Sequence, residues 1–212
     1  MSELMDITGF ILKGSVITIE LFLITAIFSI PLGGMVALGK ISKIKPLKAI
    51  LSLYTWAFRG TPLLLQLFFT YFGLPVIGIR LSPLAAASLA FTINYAAYLT
   101  EIFRAGIESI DKGQFEAAKA LGMNYYETIT RIIIPQAIRN VLPTMCNESI
   151  NLVKDSALVA TIGVGDLLRA AKEVVTRDFT ITPFFIAAAL YLAITSVLVI
   201  GFRQLEKKYS VK

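Results

Sequence analysis

The chain has 212 residues, of which 56% are hydrophobic and 16% charged. With a mean hydropathy of +0.74, that composition excludes a water-soluble globule and describes a membrane protein. It has no histidine and one cysteine, Cys146, which excludes Ser-His-Asp and Cys-His catalysis, a His-ligated metal, a Cys-rich zinc site and an intrachain disulfide. The net charge of +6 would suggest nucleic acid in a soluble protein. In a bilayer it sets orientation instead, so no nucleic-acid partner is expected. Spans of about 20 residues leave room for one sizeable loop and no separate soluble catalytic domain.

The first apolar run, residues 14–39, carries Glu20 as its only charge and is long enough to cross a hydrocarbon core of about 30 Å. Glu3 and Asp6 before it, and its length, argue against a cleaved signal peptide. Glu20 either lines a solute cavity or pairs with a buried cation such as Arg59, and the structural role is preferred. Gly34 to Lys40 superficially matches a phosphate loop, but Ile41 offers no hydroxyl for magnesium and no strand precedes it, so nucleotide binding is not expected there.

Residues 60–79 and 81–100 are free of charge except at their margins and form the second and third spans around Gly78 and Pro83, with a start for the second as early as Leu51. Arg59 is placed where the second span enters from the cytoplasm, either snorkelling or gating, and Gly60, Thr61 and Pro62 suit a helix break or restart. Asn94, Tyr98 and Glu101 recur at i, i+4 and i+7 along one face of the third span. Near its cytoplasmic end, Glu101 is expected to pair with Arg104 rather than bind solute.

The loop 108–131 favours a helix through Leu121, a Gly122 cap, and a second short helix from Asn124, which together make a knob below the membrane. Ala117, Ala118 and Leu121 share one face, so a surface helix packed on its own span ends is the bland alternative. The fourth crossing, 132–165, is apolar in bulk yet holds Arg139, Glu148, Lys154 and Asp155, with Pro135 and Pro143 inside it. Charges at that depth cost about 2.5 to 3.5 kcal/mol each, so these groups must face protein or a wet cavity. Glu148, Leu152 and Asp155 repeat the i, i+4, i+7 stripe. Residues 166–178 are too polar to cross and read as a surface helix, whereas 179–202 forms the last span before Arg203, Lys207, Lys208 and Lys212. Lys40, Lys43, Lys45, Lys48, Arg104, Lys112, Lys119, Arg131, Arg139 and this tail put most cations on one side. That side is cytoplasmic, with the amino terminus outside and the carboxyl terminus inside, a parity that five spans satisfy.

Glu116-Ala117-Ala118, then Gly122, Ile132 and Pro135, resembles the EAA loop of bacterial ABC importer permeases, departing only at Ile134, where that pattern has Leu. Arg59-Gly60-Thr61-Pro62-Leu63-Leu64, Glu101-Ile102-Phe103-Arg104-Ala105-Gly106-Ile107 and Lys154-Asp155-Ser156-Ala157-Leu158 resemble its polar amino-acid branch. The last departs from the usual Lys-Asp-Thr-Ser-Leu.

The resemblance implies an all-α, single-domain type I importer fold over residues 1–212, with five transmembrane helices in a bacterial inner membrane. It implies a second permease chain, identical or diverged, and a pair of ATP-binding subunits that hold the ATP and Mg²⁺. An outer solute-binding protein would feed the path, and residues 166–178 are a candidate contact for it. No enzymatic activity and no cofactor are expected in this chain. Glu116, Ala117, Ala118, Gly122, Met123, Asn124, Tyr125 and Tyr126 become the coupling surface for the ATPase.

Asn94, Tyr98, Glu148, Ser149, Leu152, Lys154 and Asp155 become the solute site. There an acid accepts from the ammonium of an amino acid, Lys154, Ser149, Ser156 or a backbone amide donates to its carboxylate, and the second acid favours arginine, lysine or histidine. A partner-independent channel or secondary carrier is the alternative.

Overall fold

The computed structural model describes residues 2–209, so the tail residue Lys212 lies outside the described residues. Among them every regular element is helical. Helix α1, Ser2–Ile41, runs 40 residues, about 60 Å, well beyond the expected 14–39. Its early turns persist because Ile7 and Ile11 are buried among Leu167, Ala171, Val174 and Ala187 of two later helices, α8 (Leu167–Asp178) and α9 (Thr182–Tyr209). Farther along, Gly33 lets α1 approach α4 (Pro83–Glu108) closely: a Cβ there would lie 2.9 Å from that of Leu99.

The second span is not a single helix from 60 to 79. Helix α2, Lys45–Gly60, meets α3, Leu63–Phe68, which continues as a π turn, Phe69–Gly73, and a 3₁₀ turn, Leu74–Ile77. The two arms are bent by 103°. Thr61 and Pro62 are extended, and proline has no N–H to continue the ladder. The break anticipated at Gly60–Pro62 is therefore real, and it turns the chain sharply.

Helix α4 starts at Pro83 behind Ser82, whose hydroxyl accepts from the Ala85 N–H at 3.3 Å. It is the central helix and packs on α1, α2, α3 and the later α7. Its buried face is built largely of small residues, Ala86, Ala87, Ala90, Ala96 and Ala97, around Phe91. After α5, Lys112–Ala120, and α6, Tyr125–Glu127, a π turn over Thr128–Ile133 leads into α7, Ile134–Asp155, which tightens to 3₁₀ over Ser156–Ile162.

By length and apolar composition, α1 and α9 qualify as membrane spans on their own, and the bent α2/α3 pair counts as a third. Helices α4 and α7 have 26 and 22 residues, about 39 and 33 Å, long enough to cross. They are more polar because much of their surface faces protein and the cavities between them rather than lipid. The expected five crossings map onto these elements.

Candidate functional site

The break between α2 and α3 leaves backbone carbonyls without helical partners inside an apolar body, where each must find a donor. Gln66 Nε2 donates to the Phe58 carbonyl at 2.9 Å, to the Thr61 carbonyl at 3.1 Å and to the Thr61 hydroxyl at 2.8 Å. Asn94 Nδ2 donates to the same Phe58 carbonyl at 3.0 Å and to Gln66 Oε1 at 3.0 Å. The Tyr98 hydroxyl reaches the Arg59 carbonyl at 3.4 Å. These side chains clamp the backbone of the break onto α4.

The Arg59 side chain is not clamped. Its guanidinium lies over the Tyr98 ring, 5.5 Å from the centroid, and makes no hydrogen bond or ion pair among the described residues. Arg59 therefore sits, exposed, at the break of the bent span, beside Tyr98 near the middle of α4 and not at the end of a straight helix. A chain that turns through 103° just after Gly60 sets the exposed Arg59 against the Tyr98 ring of α4, which a straight-span reading cannot anticipate.

Two cavities lie end to end along the α4–α7 seam. The first, about 630 Å³, is lined by Asn94, Tyr95, Glu148, Asn151 and Asp155 together with the break itself. The second, about 810 Å³, runs along Glu101, Ile102, Ala105 and Gly106 of α4 and Asn140, Val141 and Thr144 of α7. Arg59, Tyr98 and Glu148 line both.

Within the first cavity the Tyr95 hydroxyl donates to Asp155 Oδ2 at 2.7 Å. Neither Asp155 nor Glu148 has an ion-pair partner among the described residues. Asn94, Tyr98, Glu148 and Asp155 are thus brought together as anticipated. Ser149, Leu152 and Lys154 are not: Ser149 donates to the Met145 carbonyl at 2.8 Å, Leu152 is in the core with Phe91 and Val159, and Lys154 is exposed outside the cavity. Ser156, buried, donates to Val153. At Leu152 the i, i+4 spacing falls one residue off the stripe that lines the cavity. Asn151, at i+3 from Glu148, points into the cavity, and the helical pitch admits either until packing decides. The cation missed for this cavity is Arg59.

At the far end of α4, Glu101 pairs with Arg104 at 2.8 Å, as anticipated. It also pairs with Lys40 of α1, which the sequence order hid; the Lys40 ammonium further donates to Thr55 of α2 at 2.7 Å. Lys40 thus closes a joint between three helices, on an unbroken helix quite unlike a phosphate loop. Glu20 lines neither of these cavities and does not meet Arg59. It is exposed on the outer arc of α1 with Ile19 and Leu23, while Thr18, Leu21 and Thr25 take the inner arc.

The loop below α4 has the anticipated knob geometry. Leu121 caps α5, Gly122 adopts φ +77°, and the N–H groups of Gly122 and Met123 bond the carbonyls of Lys119 and Ala118 at 3.0 and 3.1 Å, a Schellman closure. Asn124 and Glu127 then form a reciprocal capping box that starts α6. Ala118 is buried and Met123 half-buried, but Glu116, Ala117, Leu121, Asn124, Tyr125 and Tyr126 are exposed. The common packing face expected for Ala117, Ala118 and Leu121 is absent: Leu121, at the turn rather than on the helix, is 82% exposed. Phe115, together with Ile110, anchors α5 on the cluster of Ile107, Ile129, Ile133 and Ala137.

Residues 29–211 match the family described as binding-protein-dependent transport system inner membrane component. The chain is 42% identical over 201 residues to the arginine transport system permease protein ArtQ of Bacillus subtilis, covering 94% of this chain and 92% of that protein. It is 39% identical over 204 residues to a Rickettsia felis protein named for glutamine transport, permease protein GlnP, covering 95% and 94%. A solved structure described as an amino acid ABC transporter with histidines aligns with a TM-score of 0.89 at 37% identity over 97% of each chain. The bent span, central α4 and knob are therefore those of a type I ABC importer permease, a subunit with no enzymatic activity of its own, and the chain belongs to the family of binding-protein-dependent transport system inner membrane components.

Proposed function

We infer that the α4–α7 seam is the path of an imported amino acid and that the cargo is basic: arginine, lysine or histidine. The chain is a permease subunit of an amino-acid ABC importer. The observation that carries the finer reading is the charge inventory of the first cavity. It holds two carboxylates, Glu148 and Asp155, and one guanidinium, Arg59. A basic amino acid carries the complement, two cations and one carboxylate, so each charge meets an opposite one and none is left buried alone. A neutral amino acid leaves one acid unpaired. The relative named for arginine and the structure described with histidines support this choice, whereas the relative named for glutamine does not.

The exposed knob around Glu116 to Tyr126 is the surface that seats in an ATP-binding subunit, one of a pair holding ATP and Mg²⁺. A second permease chain completes the path, and an outer solute-binding protein delivers the cargo. The count of cations places the knob and carboxyl terminus in the cytoplasm and the amino terminus outside.

The test is uptake of labelled arginine, lysine, histidine, glutamine and glutamate by the complete complex in proteoliposomes. Basic amino acids are expected to lead by about tenfold or more, the worth of one charged hydrogen bond. Glutamine in first place would end the basic assignment, and uptake by this chain alone would end the importer assignment.

A further inference from the structure

The two cavities touch at three residues only: Arg59, Tyr98 and Glu148. Along α4 the first uses Asn94 and Tyr95, the second Glu101 to Ser109. Along the antiparallel α7 the order reverses, with Asp155 in the first and Asn140 in the second. A solute passing from one to the other therefore meets Arg59, Tyr98 and Glu148.

That side chain is held differently from its own backbone. The main chain around it is fixed by the amides of Gln66 and Asn94 and by the Tyr98 hydroxyl. Apart from the longer-range attraction of Glu148, its guanidinium contacts only the face of an aromatic ring, a contact that a solute carboxylate outbids because it offers a bidentate, charge-assisted pair. A fixed backbone therefore carries a loosely moored cation where the two cavities meet.

We propose that Arg59 is the movable partition between the two cavities, and that the carboxylate of the solute draws its guanidinium off Tyr98 and so opens the way. This rests on the reading of the seam as an amino-acid path. It assigns Arg59 as both carboxylate receptor and barrier, so solutes with the same side-chain charge but no carboxylate are refused. In the empty site the guanidinium stays over Tyr98 and beside Glu148, closing the seam to a second cation by like-charge repulsion.

The experiment uses the permease–ATPase complex in nanodiscs and proteoliposomes without binding protein, so that no other specificity filter acts. The wild type is expected to bind labelled arginine well ahead of agmatine, its decarboxylated counterpart, and to show little ATP-free exchange. Arg59→Gln is expected to shrink the arginine-to-agmatine ratio at least about tenfold, as when a site loses its partner for one substrate group, and to raise exchange. Arg59→Lys keeps the cation but not the flat fork, so discrimination persists while exchange rises. If Arg59→Gln does not assemble, Tyr98→Leu is read instead, with raised exchange and retained discrimination expected. An unchanged ratio and unchanged tightness in Arg59→Gln, or unchanged tightness in Tyr98→Leu, overturns the proposal. If the wild type prefers glutamine, the basic-cargo reading fails separately, and Arg59 is tested with glutamine against 4-aminobutanamide.

Discussion

Lys40 and Glu101 meet across the junction of α1 and α4, and the pair is unequal in its alternatives. Without Lys40, Glu101 still has the Arg104 guanidinium at 2.8 Å. Without Glu101, the buried Lys40 ammonium keeps only the Thr55 hydroxyl at 2.7 Å. A buried charge left without its counter-ion costs about 3 to 5 kcal/mol, and one left with a second partner costs less. Glu101→Gln should therefore destabilise the purified protein more than Lys40→Met, and the double replacement should recover part of the loss. Thermal unfolding in detergent, followed by loss of the monodisperse peak, checks the order; equal losses for both single variants would show that Arg104 does not compensate.

The amide clamp on the helix break gives a second expectation. Either Gln66→Leu or Asn94→Leu leaves the Phe58 carbonyl one donor, but Gln66→Leu also removes the donor to the Thr61 carbonyl and hydroxyl. Each buried group left unsatisfied costs about 1 to 3 kcal/mol. Gln66→Leu should be the more damaging in the same unfolding assay, and the reverse order would place the main support of the break on α4.

Charge in the first cavity should tune selectivity without a change of shape. Asp155→Asn and Glu148→Gln each remove one carboxylate, and each should weaken arginine binding about tenfold to a hundredfold, the range of a charged hydrogen bond, while glutamine binding changes less. Direct binding to the nanodisc complex measures the ratio. Equal losses for both solutes would indicate collapse of the cavity rather than a change in its charge.

Gly122 sits at φ +77°, where an L side chain costs about 1 to 2 kcal/mol. Gly122→Val should tilt the turn that presents Leu121, Tyr125 and Tyr126, leaving the membrane helices folded but raising the ATP hydrolysed per amino acid imported. The stoichiometry in proteoliposomes is the readout, and a wild-type ratio would remove this turn from the coupling surface.

Local chemistry was legible wherever a signal lies within a few residues. The αL glycine before the Asn124–Glu127 box, the break at Gly60–Pro62 and the uncharged runs of α1 and α9 each announce themselves by residue type. The Asn94–Tyr98 and Glu148–Asp155 stripes were also visible, because helical pitch alone puts those positions together. What the order of residues conceals is partnership across distance. Lys40 reads as a tail-end cation until α4 is laid beside it. Arg59 reads as an interfacial arginine until the 103° bend sets it against Tyr98. Leu152 and Asn151 differ by one step of the helix and exchange roles only when the core claims one of them.

Helix α1 leaves a mechanical consequence. One continuous rod of 40 residues is gripped near one end by α8 and α9 and pinned near the other by the Lys40 ammonium. Pro31 lies between these grips and has no N–H to give the preceding turn, which makes it the rod's compliant point. A push on one grip would therefore reach the other as a swing about Pro31, so the two ends of the rod share one lever.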